Sequence, residues 1–153
     1  KNELSKLESL SLSKKNINLE DVQKLTNLAE NYTVFELSDN YLAKNSKKVS
    51  RILNENNYNS DDCILILRTI LNKSKRLLKL KNEIDKNNNI DLVLSSFKPP
   101  IFWKEKEVVK KQLQLCSIEE IKKIIYKIND LELLVKKNSL NSFNFVADFV
   151  RNY

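Results

Sequence analysis

Residues 117–137 read SIEEIKKIIYKINDLELLVKK, and this stretch decides the fold. Ser117 and Glu120 have the spacing of a capping box, in which the hydroxyl takes one unpaired N–H of a helix start and the carboxylate takes another. Behind them Ile121, Ile124, Ile125, Ile128, Leu131 and Val135 recur with the 3.6-residue period of one helix face. The spacing predicts a helix over 118–137 with one buried and one charged side.

The same pattern continues outward from this helix. Residues 94–106, LSSFKPPIFWKEK, hold both prolines and the only tryptophan of the chain. Proline has no N–H to give and pushes the residue before it out of the helical region. Pro99 and Pro100 are therefore expected to stop a short helix over 90–97, and the next helix is expected over 102–115. Phe102 and Trp103, large aromatics just past the break, are expected to seat that helix in the core.

Further upstream the longest helix is expected from Ser60 to about Lys86, with Asp61 and Asp62 at its positive end. Its stripe of Leu67, Ile70, Leu71, Ser74, Leu77 and Leu78 faces one way, and Arg68, Lys75 and Lys79 face another. Cys63 to Leu67 is apolar all round, so this end is expected to be buried on every side. Asn87, Asn88 and Asn89 can supply a left-handed C-cap where glycine would usually stand. Shorter helices are expected over 1–13, from a cap at Asn18 with Glu20 and Asp21 in its first turn, over 34–42 and over 49–53, with a turn near Asn31. A last helix is expected over 142–152, carrying Phe143, Val146, Ala147 and Val150.

Composition narrows the class. The chain has 153 residues, no glycine and no histidine. Without glycine there are no phosphate-cradling loops or dinucleotide fingerprints, and tight hairpins are disfavoured. Without histidine the commonest general base and metal ligand are gone. Cys63 and Cys116 stand alone, without the paired spacing of a zinc site, and read as small buried apolar residues. No metal and no cofactor is expected. Apolar residues make up 41% of the chain, enough to fold. No signal peptide is expected, and no apolar run reaches membrane length. The expectation is an all-α helical bundle, soluble and in a reducing compartment; the missing methionine suggests a start inside a longer protein.

Charge is unevenly placed. Between Arg68 and Lys111 stand twelve Lys/Arg and five Asp/Glu, so this segment holds the whole formal charge of +7 and the rest of the chain balances. Clustered basic residues are the footprint of a nucleic-acid or acidic-protein partner, with Arg68, Lys75, Lys79, Lys104, Lys106 and Lys110 as candidate contacts. The plainer reading is that these lysines solvate helix faces. Aromatics would favour nucleic acid only if exposed for stacking. The carboxylate pairs Glu20/Asp21, Asp61/Asp62 and Glu119/Glu120 all fall at expected helix starts, where capping and the dipole account for them. No nucleophile stands with a base, so no catalytic site is expected.

From Phe97 to Ser139 the chain resembles the C-terminal collar domain of the delta subunit of the bacterial DNA polymerase III clamp loader. The family's Pro-Pro-aromatic-basic block falls on Pro99, Pro100, Phe102, Trp103 and Lys104. Its Gln-ended helix falls on Gln112, its Ser-x-x-Glu helix start on Ser117 to Ile121, and its Glu-Leu-x-x-Lys segment on Glu132 to Lys136. Upstream, NELSKLESLSLSKKNINLEDVQKL is similar to the end of the family's lid domain, and VFELSDNYLAKNSKKVSRIL to the opening collar helices. Lys137, Asn138 and Ser139 depart from the family's Thr/Ser-Gly connection.

The resemblance implies a remnant of a helical lid over 1–31 and a helical collar, an oligomerisation domain, over 32–153. It implies a non-catalytic scaffold in DNA replication, cytoplasmic and off the membrane, that helps hold a ring of delta, delta-prime and three ATPase subunits. Primed DNA would be met through that complex, the polymerase III holoenzyme. The sliding clamp would be met only through the family's N-terminal AAA+ module, which these residues do not include. The alternative is a free-standing basic all-α nucleic-acid-binding domain.

Overall fold

A computed structural model of the chain describes residues 28–152, with Glu8, Ser11, Leu12 and Asn18 as isolated positions before them. Apart from those positions and residues 28–31, the helices expected before residue 28 and the lid remnant over 1–31 fall outside the described residues. Among the described residues the order is helix throughout, with no strand. Helices α1 (Leu28–Leu42), α2 (Ser46–Glu55), α3 (Ser60–Asn87), α4 (Ile90–Ser96), α5 (Lys106–Leu115), α6 (Ile118–Lys137) and α7 (Ser142–Arg151) follow in turn. Single 3-10 turns at Trp103–Glu105 and Ser139–Asn141 lead into α5 and α7.

Side-chain caps set the boundaries in the absence of glycine. Asn59 accepts from the N–H groups of Asp61 and Asp62, and Asp62 accepts from the N–H of Asn59, so α3 starts in a capping box. Asn88 ends it with φ of 52°, in the left-handed region, and its N–H bonds the Ile84 carbonyl. Asn89 then caps α4 by accepting from Leu92. Ser117 and Glu120 form the second capping box, and α6 spans the expected 118–137.

The bundle is built around α3, about 42 Å long at 1.5 Å per residue. Helix α6 lies along it as its main partner; α1, α4, α5 and α7 pack on it too, and α2 bridges α1 and α7. Leu67, Ile70 and Leu77 of α3 meet Ile121, Ile124, Ile128 and Val135 of α6 in one buried core. Burying each of these aliphatic side chains contributes about 2 kcal/mol before ordering costs.

Two local expectations fail. No turn interrupts the chain near Asn31, because α1 runs unbroken from Leu28 to Leu42. Asparagine favours turns through its side chain, but it costs a helix only a few tenths of a kcal/mol where neighbours propagate it. The start of α3 is not buried all round either: Leu65 is 39% exposed, because it falls on the face shared by Arg68 and Lys75, which no helix covers.

Candidate functional site

The corner between α4 and α5 brings the distinctive residues together. Phe97 and Ile101, on either side of the prolines, turn into the core at 7% and 5% exposure. Phe102 follows in extended conformation, where successive side chains point opposite ways, so it turns outward. Phe102 is 55% and Trp103 69% exposed, which corrects the expectation that these two aromatics seat α5. The anchoring falls to Phe97 and Ile101 instead. The helix expected over 102–115 accordingly opens as a 3-10 turn and becomes α-helical only at Lys106.

The exposed rings form a small platform. Their centroids lie 5.8 Å apart at 48°, and Lys104 Nζ stands 5.2 Å from the Trp103 centroid. Glu105 N–H bonds the Phe102 carbonyl at 2.9 Å and closes the turn. Arg76 Nη1 donates to Glu105 Oε2 at 2.9 Å and ties the platform to α3, one residue along from Lys75.

The candidate basic contacts divide. Arg68 donates through Nε and Nη2 to Glu132 Oε1 at 3.2 and 3.0 Å, so its charge is answered within the molecule. Lys110 Nζ bonds Asp91 Oδ1 at 2.9 Å, which raises its pKa. Lys75 and Lys79 on the outer face of α3, and Lys104 and Lys106 at the corner, make no ion pair among the described residues. These four are the available cations of the set.

The other motif residues have structural partners. Glu120 accepts from the Ser117 N–H and from Lys44 Nζ, both at 2.8 Å. The Lys44 bond is the main reason its carboxyl is held below the usual range. Glu132 accepts from Lys136 one turn on at 2.7 Å, and that bond chiefly lowers its carboxyl too. Pro99 and Pro100 are exposed, while Gln112 is fully buried. Among the described residues no cluster of His, Cys, Asp or Glu could hold a metal ion, and no helix is long and apolar enough to cross a membrane.

One site was not legible in the sequence. At the ends of α1, α6 and α7 an open groove of about 340 Å³ has Tyr41, Ile124 and Phe149 at its floor and Lys44, Lys123 and Lys127 around it. Lys44 reaches it from a left-handed backbone conformation, φ 53°, that closes α1 with a bond from Asn45 N–H to the Asn40 carbonyl. Its contributors are far apart in the chain; the only local signal was the one-turn spacing of Lys123 and Lys127.

Compared with known protein families, with curated proteins and with solved structures, the chain matches none.

Proposed function

We propose that this chain is a non-catalytic scaffold, the collar part of a clamp-loader delta subunit that helps assemble the ring which places a sliding clamp on DNA. The observation that carries this reading is the order in which its motif residues meet helix boundaries. The Pro99–Pro100 corner separates α4 from α5, and Gln112 lies near the end of α5. Ser117 and Glu120 cap α6, Glu132 and Lys136 pair along it, and α7 follows with small and apolar residues. The resemblance called for this sequence of elements.

The proposed partners are the clamp-loader ATPase subunit and delta-prime, in a cytoplasmic complex, with primed DNA met in the assembled ring. Size exclusion of the chain mixed with those two proteins from the same genome tests the reading. A shared peak at micromolar concentration is expected, and separate elution would refute the scaffold role.

A second reading, a free-standing basic nucleic-acid-binding domain, is favoured by the exposed Phe102–Trp103 platform with Lys104 beside it. Bases stack on exposed aromatics, and phosphate contacts make binding fall with salt. Under this reading the chain alone binds single-stranded DNA in the absence of any clamp-loader partner. Under the first, tight binding requires the ring.

A further inference from the structure

We propose that the groove between α1, α6 and α7 is a docking site for an acidic peptide segment of a partner protein, one that seats a single apolar side chain between its carboxylates. Tyr41, Ile124 and Phe149 of the floor are each at most 5% exposed, so the apolar surface on offer is small. It is too small for the whole face of a helix.

The rim fixes the charge of the occupant. Lys44, Lys123 and Lys127 surround the floor, and Glu120 is the one carboxylate among the lining residues. Glu120 is already engaged by Lys44 and by the Ser117 N–H. Lys123 and Lys127 make no ion pair among the described residues, and they stand one helical turn apart, where like charges repel. Carboxylates brought by a partner relieve that repulsion. Lys127 Nζ lies 5.5 Å from the Phe149 centroid, so charge and apolar floor adjoin.

A nucleic acid would satisfy the lysines but not the floor. Base stacking needs an open aromatic face, and Tyr41 and Phe149 are 2% and 3% exposed, whereas Trp103 elsewhere is open. This inference stands apart from the collar reading: it names neither the ring subunits nor the platform at the corner.

Fluorescence anisotropy tests it with a labelled peptide of aspartates and glutamates around one central leucine. The Lys123→Glu/Lys127→Glu double variant is expected to weaken binding about tenfold. Lys75→Glu/Lys79→Glu, equal in charge change but on the outer face of α3, is expected to leave it unchanged. A peptide with serine for leucine is expected to bind several-fold more weakly. Equal losses for the two double variants, or equal binding of leucine and serine peptides, would overturn the proposal in favour of nonspecific charge attraction. Loss of oligo-dT binding in Lys123→Glu/Lys127→Glu with the peptide retained would overturn it in favour of a nucleic-acid site. On the unaltered protein, peptide titration is expected to shift the Ile124 methyl signals; their constancy would overturn the proposal whether or not the variants fold.

Discussion

Gln112, buried in α5, donates from its side-chain amide to both the main-chain carbonyl and the carboxylate of Asp39 on α1, each at 3.1 Å. The same carboxylate is paired with Lys73 of α3, itself almost wholly buried. Asp39 therefore joins three helices through polar bonds. Replacing Gln112 by alanine removes a donor from the half-buried Asp39 and leaves a gap in the core. A loss of about 2 kcal/mol in urea unfolding is expected. Asp39→Ala, which strands the Lys73 ammonium, is expected to cost at least as much, whereas Lys73→Met is expected to cost less. A Gln112→Ala protein as stable as the parent would show that the three-helix junction contributes nothing.

The aromatic corner divides into a structural half and an exposed half. Phe97→Ala is expected to lower stability by about 3 kcal/mol, because it empties a core position. Trp103→Ala is expected to change it by less than about 0.5 kcal/mol, as for other exposed sites. Thermal melts of the two variants read the difference. The triple charge reversal at Lys75, Lys79 and Lys104 is expected to abolish any oligo-dT binding of the free chain; unchanged affinity would remove the free-standing nucleic-acid reading.

Capping carries a pH signature. Ser117→Ala is expected to cost about 1 kcal/mol by opening the start of α6. Lys44 and the Ser117 N–H hold the Glu120 carboxyl below its usual range. The stability Glu120 contributes is thus present at neutral pH and lost as pH falls through that lowered value. Urea midpoints taken from pH 6 down to pH 3 should fall less steeply for Glu120→Gln than for the parent. Parallel slopes would contradict the assignment.

The Cys63 thiol behaves oppositely with pH. Both cysteines are buried. Burial, with Asp62 adding to it, pushes the Cys63 thiol up to about 11. A raised thiol favours the folded state below its ordinary range near 9 and loses that contribution as pH rises through 11. At pH 8 both cysteines should react with iodoacetamide only after denaturation, read as mass addition in native and urea-treated samples. Labelling of Cys63 in the native protein would show that this end of α3 opens.

Most of the helical layout was legible because local signals and tertiary packing agree in it. The Ser117/Glu120 box, the asparagines after α3 and the isoleucine stripe of α6 each act within a few residues, and each stands where the sequence put it. Phe102 and Trp103 went wrong because their outward turn follows from the backbone course after the prolines, and hydrophobicity alone points inward. Asn31 went wrong because a continuous helix overrode one turn-prone residue. The Lys44 groove had no local signal, since its residues meet only when α1, α6 and α7 pack together.

The most direct test of the scaffold reading is native mass spectrometry of the chain mixed with the clamp-loader ATPase subunit and delta-prime from the same genome. The account predicts one dominant assembly containing a single copy of this chain, with the ATPase and delta-prime subunits around it. A spectrum in which the chain appears only as its 17.9 kDa monomer, beside a complex lacking it, would contradict the account.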